Sequence, residues 1–359
     1  MSKKLKILIV KLSAIGDVVH AIPVAYSLRK KFPDAYLSWL VEDRASELII
    51  DNPLIYRVFV LPKQKWKSNK FRLNDIKEFF ELVSQLRQEG FDIAIDLQEL
   101  FKSGLMTYLS GAKRRIAHAN TREFADIFIN EKLKAHDTLD PERFIIDRYL
   151  DAARYLNAPD DEIKFCLPPV NNHTKDYINT LLKGLDSNLP VVVLSPSTTW
   201  FSKHWIGEYW SQLIDMLAPK TNIVFVGSSQ DEELINRITS GAQTRRYLSL
   251  AGKTSLLELA EIFRRANVVV SPDSGPAYIA NATEKPAVIV ISGSTSSRRT
   301  RPHGENTIAL SADIQCQPCH KKYCRRKDSP MECMKKLTPD IIFAASVEKL
   351  ENSRKINLL

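Results

Sequence analysis

Lys6-Ile7-Leu8-Ile9-Val10-Lys11-Leu12-Ser13-Ala14-Ile15-Gly16-Asp17-Val18-Val19-His20-Ala21-Ile22-Pro23 joins a short apolar run, rich in β-branched residues, to a Ser-x-x-Gly-Asp turn. The turn runs at once into an apolar pattern of helical period, so the stretch reads as strand, tight loop and helix, with the helix expected over 18–30. In an open α/β sheet such a loop lies at the carboxyl end of a strand, where ligands bind, and an acid held there is a catalytic candidate. Asp17 is that acid. Its plainer role is to cap the helix and meet the macrodipole, and an Asp in the first turn suits both roles.

The same alternation continues outward. Strands are expected over 35–41, 58–61 and 91–97, and helices over 44–51, 74–89 and 141–155, the pattern of a parallel sheet wrapped by helices. Leu167-Pro168-Pro169-Val170-Asn171-Asn172-His173 breaks regular structure and is the expected linker. Beyond it, after a helix over 175–183, a second series has strands at 191–194, 223–226, 268–270 and 287–291 and helices at 206–217, 231–238 and 255–265. The expected divisions are 1–170, 171–338 and a terminal segment 339–359 carrying a last helix. No short repeat period is present, which argues against a solenoid.

The chain has 359 residues, 44% of them hydrophobic and 26% charged, enough for two separate cores. No apolar run approaches the roughly 18 residues of a membrane span, and no signal-like apolar segment precedes the first strand, so a cytoplasmic protein is expected. A formal net charge of +9 points to an anionic partner: phosphorylated substrate, anionic membrane and nucleic acid all fit. The run Lys63-Gln64-Lys65-Trp66-Lys67-Ser68-Asn69-Lys70-Phe71-Arg72 reads as a solvated basic loop, with an anionic headgroup surface as the alternative.

Three strand ends in the second half carry polar turns. Ser195-Pro196-Ser197-Thr198-Thr199-Trp200-Phe201-Ser202-Lys203-His204-Trp205 gathers hydroxyls and a lysine, which suit a diphosphate. Gly227-Ser228-Ser229-Gln230-Asp231-Glu232-Glu233 opens a helix with acids that either cap it or accept from ribose hydroxyls. Ser271-Pro272-Asp273-Ser274-Gly275-Pro276-Ala277-Tyr278 turns a strand into a helix whose N-terminus suits an anion. Such turns are commonplace singly. Their recurrence at successive strand ends favours nucleotide binding over a plain scaffold. Neither half carries Gly-x-Gly-x-x-Gly after its first strand, which disfavours a dinucleotide oxidoreductase. Four of the five cysteines, Cys316, Cys319, Cys324 and Cys333, form a Cys-x2-Cys-x4-Cys-x8-Cys segment with basic residues interspersed. A structural Zn or Fe site and reduced structural thiols are equally compatible with it. A basic nucleic-acid-binding protein with a cysteine knuckle would fit the charge but leaves the strand-end turns unexplained.

Taken in order, Lys11 to Asp17 with Pro23, Thr198-Thr199 with Lys203-His204-Trp205, and Asp273-Ser274-Gly275 resemble the hallmarks of glycosyltransferase family 9, the ADP-heptose:lipopolysaccharide heptosyltransferases. Ile95-Asp96-Leu97-Gln98, Lys102-Ser103 and Thr121-Arg122-Glu123 are most similar to its heptosyltransferase I branch. The resemblance implies a GT-B fold, two Rossmann-like domains facing a central cleft, with acceptor on the N-terminal side, nucleotide sugar on the C-terminal side, and a terminal helix that crosses back to the first domain. It implies Asp17 as the general base of an inverting transfer from ADP-heptose to a Kdo-lipid A acceptor at the inner face of the cytoplasmic membrane. No cofactor is then required for the chemistry, and no nucleic acid is expected as partner. Lys203, Thr198, Thr199, Asp273, Ser274 and Gly275 would serve the diphosphate. Thr254, Asp231 and Glu232 would lie near adenine and ribose, and Lys11, Ser13, Gly16 and Arg122 near acceptor groups. Family 9 relatives that glycosylate a protein or another glycan are the nearest alternative. Tyr278 departs from the family pattern, where His is frequent, and a Tyr cannot act as a cation near neutral pH. A similar cysteine cluster occurs in part of the family, including iron-containing members.

Overall fold

The computed structural model describes residues 4–68, 73–134, 137 and 140–356, without the side chains of Ser68, Arg122 and 353–356. The chain separates into two units, Met1–Pro169 and Val170–Leu359, and the break falls within the Pro-Pro stretch read as a linker.

The first unit runs β1 (Lys6–Val10), α1 (Ile15–Lys31), β2 (Tyr36–Glu42), α2 (Asp43–Ser46), β3 (Arg57–Leu61), α3 (Lys63–Ser68), α4 (Leu73–Glu89), β4 (Ile93–Asp96), α5 (Phe101–Leu109), β5 (Arg114–His118), β6 (Glu131–Leu133) and α6 (Ile145–Tyr155). A 3-10 segment, Arg122–Phe128, lies between β5 and β6. The six strands form one sheet in the order β3-β2-β1-β4-β5-β6, and every pairing is parallel. Burial on both faces explains the unbroken apolar composition of the central strands: Ile7, Leu8, Ile9 and Val10 are all fully enclosed. Trp39 of β2 fixes the exit of β1 by donating from Nε1 to the Lys11 carbonyl at 3.1 Å.

The second unit runs α7 (Asn172–Leu182), β7 (Val191–Leu194), α8 (Gly207–Leu217), β8 (Asn222–Phe225), α9 (Glu232–Gly241), β9 (Leu248–Ser249), α10 (Leu256–Arg265), β10 (Val268–Pro272), α11 (Gly275–Ala282), β11 (Ala287–Ser292), β12 (Thr307–Ser311), α12 (Glu332–Lys335) and α13 (Pro339–Ile356). Its order, β12-β11-β10-β7-β8-β9, repeats that of the first unit. In each sheet the order reverses between the first and fourth strands, β1 and β4 or β7 and β10. That is the switch point of a doubly wound sheet, where adjacent loops part and leave a crevice. Val10 pairs with Asp96, and Leu194 with Val270, so the loops after these strands emerge side by side.

One reading needs correction. The basic run from Lys63 is not a loop throughout, because Lys63–Ser68 forms α3, with Trp66 packed on the core below α4; Asn69 to Arg72 lie outside the described residues. The terminal helix packs on α8, β10 and β11 and belongs to the second unit's core through Ile342 and Leu350.

Candidate active site

At the first switch point, α1 begins four residues after Lys11 and places Asp17 in its first turn. Asp17 is half-buried. Its Oδ2 accepts from the Ala14 amide at 3.3 Å, so the capping reading and the catalytic reading apply to different oxygens of one carboxylate. The Ser13 amide donates to Gln98 Oε1 at 3.1 Å and joins the loop after β1 to the loop after β4.

Beneath this loop lies Lys11, buried with its side chain. Its Nζ donates to the Leu97 carbonyl at 3.1 Å and to the Tyr149 hydroxyl at 2.8 Å and stands 4.6 Å from that ring's centre. Burial lowers its pKa, against the opposing charges of Asp17, Glu99 and Asp96. Lys11, expected among the acceptor contacts, lies under the loop that carries Asp17.

The loop after β4 is built around Asp96, which is buried and accepts from the amides of Gln98 at 2.9 Å and Glu99 at 3.0 Å and from Ser103 Oγ at 2.9 Å. Burial, with the nearby Glu99 charge, pushes its pKa up to about 7 despite those bonds. Glu99, at φ 58°, turns its carboxylate inward. It meets His118 Nδ1 at 2.6 Å and accepts from Arg148 Nη2 at 2.5 Å. His118 Nε2 lies 2.9 Å from Asp151, which also accepts from Arg143. At the end of β2, Glu42 accepts on one oxygen from Lys63 at 2.9 Å and Lys102 at 2.6 Å. Sequence reading missed the Glu99–His118–Asp151–Arg148 network, since its members are spread over the loop after β4, strand β5 and helix α6. Arg122 opens the 3-10 segment, but its side chain is outside the described set.

At the second switch point, Lys203 Nζ donates to Asp273 Oδ2 at 2.9 Å and lies 5.0 Å from the centre of the Trp200 ring. Asp273 is buried. Burial opposes its ionised form, but Lys203, Thr295 and Tyr278 together hold its pKa below the ordinary value. Tyr278, which is buried, donates to Asp273 Oδ1 and also reaches the Thr300 carbonyl. The departure from the family's His therefore sits within the scaffold around Asp273. Ser274 caps α11, with its Oγ 2.9 Å from Ser271 Oγ. Thr198 is half-buried, with its carbonyl held by His204 Nε2 at 2.8 Å, and Thr199 is exposed. Asp231 accepts from Ser197 Oγ at 2.5 Å and from the Ser228 amide at 2.7 Å, which ties the loops after β7 and β8 together. Glu232 is exposed. Thr254 precedes the Ser255 cap of α10. Just before it, Gly252 sits at φ 67° with the space for a Cβ already filled by Ser229 at 3.0 Å, so a larger residue there would displace the loop.

The cysteine segment follows β12. Cys316 is exposed, and Cys319, Cys324 and Cys333 are half-buried. Burial, with the three other cysteines nearby, pushes the Cys333 thiol up to about 11. Among the described residues, no three His, Cys, Asp or Glu side chains are grouped so as to hold a metal ion.

Each doubly wound unit thus carries polar groups at its switch point, an acid in the first and a lysine with a helix N-terminus in the second. Residues 79–329 match the model of glycosyltransferase family 9 (heptosyltransferase), and the chain belongs to that family. It is 25% identical over 323 residues to the lipopolysaccharide heptosyltransferase 1 of Pseudomonas aeruginosa, covering 89% of this chain and 87% of that protein. Among solved structures, a family 9 glycosyl transferase from Veillonella parvula matches with a TM-score of 0.82 at 18% identity over 98% of this chain and 99% of that one. The Escherichia coli heptosyltransferase WaaC with ADP matches at 0.75 and 22% over 96% of this chain and 100% of that one. The fold is GT-B, and the protein is a glycosyltransferase.

Proposed function

We propose that the protein is an inverting heptosyltransferase that moves heptose from ADP-L-glycero-D-manno-heptose to a Kdo or heptose residue of the lipopolysaccharide inner core, in the manner of heptosyltransferase I. The observation that carries the reading is the Asp17 carboxylate, held by one oxygen on the Ala14 amide at a switch point. Family membership supports the donor and acceptor class.

In this mechanism the acceptor oxygen forms its bond to the anomeric carbon as the bond from that carbon to the diphosphate breaks. The departing electron pair goes to ADP, and the acceptor proton goes to Asp17. An ionised Asp is a weak base, but the hydroxyl becomes acidic as its new bond forms, so a late transfer is sufficient. Lys203, the hydroxyls of Thr198 and Thr199, and the N-terminus of α11 at Ser274-Gly275 stabilise the charge growing on ADP. Asp273 offsets part of the lysine charge and fixes its direction. Glu232 and Thr254 serve ribose and adenine, while Asp231 holds the loops. Ser13, Gly16 and Arg122 serve the acceptor, and Lys11 contributes through the loop above it.

The four cysteines suit Zn or Fe by donor chemistry but not by their placement, so the proposed mechanism routes no step through a metal. Elemental analysis of protein purified without added metal decides between metal and thiols. Contact with an anionic membrane at its cytoplasmic face is supported by Leu73, Ile76 and Phe80. These are exposed at i, i+3 and i+7 along α4, a helix that also presents Lys77 and is tied to α3 by the Lys65–Glu78 pair. Replacing Leu73 and Phe80 by Asp should abolish co-sedimentation with anionic vesicles; unchanged sedimentation removes the membrane contact from this surface. No helix among the described residues is long and apolar enough to cross a membrane.

The deciding experiment incubates the protein with ADP-heptose and a Kdo-lipid A acceptor and follows the acceptor's mass. A gain of one heptose is expected. Transfer only to a protein or another glycan replaces the acceptor half of the reading, and no transfer to any inner-core acceptor removes it.

A further inference from the structure

The cysteine segment is bound to the loop that carries Lys203. The Ser202 amide donates to the Lys322 carbonyl at 3.0 Å, and Ser202 Oγ donates to the Lys321 carbonyl. Ser294, on the loop after β11, places its Oγ 2.8 Å from Ser202 Oγ and accepts on its carbonyl from the His320 amide at 2.8 Å. Gln317 Nε2 donates to the Ser292 carbonyl at 2.9 Å. At Gly293 a Cβ would lie 2.6 Å from Met334 Cε and 2.9 Å from the Ser202 carbonyl, so the segment's far end closes on the same loop without room for another atom. Outside, the rings of Phe201 and Tyr323 stack with centres 6.2 Å apart.

Ser202 is buried and immediately precedes Lys203. The contacts fix the backbone of the loop after β7, and with it the position from which the Lys203 ammonium reaches Asp273. We propose that residues 316–334 brace the donor site, with Ser202 as the positioning residue for Lys203. The segment acts through its backbone carbonyls, not through the cationic side chains of Lys321 and Lys322, which are exposed. The proposal rests on the donor reading above only for the identity of the nucleotide.

The test compares full-length wild type, Ser202→Ala and the double variant Lys321→Ala/Lys322→Ala, with free ADP as the probe. Removing the Ser202 hydroxyl leaves the part-buried Lys321 carbonyl and the buried Ser294 hydroxyl short of a bond, whereas the double variant keeps both carbonyls in place. Ser202→Ala should speed amide hydrogen exchange over 198–205 in unliganded protein and weaken ADP binding about tenfold. Donor KM should rise correspondingly, and kcat should fall as well, because Lys203 stabilises charge that grows on ADP in the transition state. The double variant should match wild type in exchange and ADP affinity. Wild-type exchange in Ser202→Ala overturns the brace, and so does a double variant that loses as much ADP affinity as Ser202→Ala, since the segment would then act by charge on the nucleotide. Should Ser202→Ala not fold, Gln317→Ala severs the second tie and should give a smaller rise in exchange over the same loop; no rise overturns the proposal. Exchange is read without nucleotide, so a wild type that does not bind ADP removes the donor reading and leaves the brace to be decided separately.

Discussion

Asp17 has one oxygen occupied by a backbone amide, whereas both oxygens of Asp273 are taken, by Lys203 and Thr295 on one side and Tyr278 on the other. In the proposed mechanism the base is therefore Asp17, since Asp273 already accepts three hydrogen bonds and is paired with a lysine. Asp17→Asn keeps the shape and the cap but removes the base, and it should lower kcat by roughly 10²–10⁴ while leaving ADP affinity, measured by calorimetry, near wild type. Near-normal turnover would withdraw the assignment. Lys203→Met should weaken ADP binding and also lower stability by about 3–5 kcal/mol, because it strands a buried carboxylate. Adding Asp273→Asn should restore much of the denaturant midpoint without restoring affinity, which separates the two effects. The buried cluster near β4 and β5 makes stability depend on pH from both sides. Burial opposes the charge of Glu99 and Asp151, but His118 and the neighbouring arginines hold both pKa values down, that of Asp151 to about 2. Carboxylates lowered in the folded state contribute stability above their unfolded values that is lost as pH falls through the folded ones. His118, disfavoured by burial but raised overall by Asp151 and Glu99, contributes below its unfolded value of 6.5 and loses that contribution as pH rises through its higher folded value. The urea midpoint should therefore fall in acid and again above neutrality, and His118→Gln should flatten the alkaline fall.

Among the elements, the central strands were the most legible and the edges the least. β1, β4, β7, β10 and β11 are covered on both faces, so their sequences are apolar runs that stand out from their surroundings. β5 begins with Arg114 and Arg115, β6 has three residues and β9 two, and β12 is half-buried along its length. These edge strands take their conformation from the neighbour they pair with, a long-range cause with little local trace. The same division holds at the site. Thr198 to Lys203 and Asp273 to Gly275 each lie in one turn and could be read locally, but the Glu99–Arg148 pair spans 49 residues and arises only when α6 docks. Helix α5 was missed because its first turn follows a polar turn built on Asp96. The last helix was legible as a helix from its sequence. It supplies Ile342 and Leu350 to the core around β10 and β11, and Trp205 donates to the Leu337 carbonyl at 2.7 Å just ahead of it. Each such aliphatic side chain contributes about 1.5–3 kcal/mol on burial. Truncation after residue 338 should therefore lower the thermal midpoint and broaden unfolding of the second unit, as followed by calorimetry. A wild-type midpoint would show that α13 adds nothing to that core.

At the scale of the molecule, one topology occurs twice, and the proposed mechanism divides its chemistry between the copies. Each unit has its own six-stranded parallel sheet and its own enclosed core, which is the condition for folding alone. Repetition of the fold says nothing about which copy takes the nucleotide, because fold and function are separable. The assignment comes from side chains: the loops after β7 and β10 bring hydroxyls, a paired lysine and a helix N-terminus to one switch point, whereas those after β1 and β4 bring Asp17 and a buried charge network. If that division is right, ADP recognition should survive separation of the units at the Pro169–Val170 junction. A fragment spanning 170–359, which retains α13, should bind ADP with an affinity within about tenfold of the full chain, and a fragment spanning 1–169 should not bind it. Both should show cooperative unfolding, since each unit has an enclosed core of its own. Calorimetric titration of the two fragments with ADP checks this directly. Binding by 1–169, or a folded 170–359 that fails to bind while the full chain does, would mean that the nucleotide is not recognised by the second unit alone, and the roles given to Lys203 and α11 would then have to be reassigned.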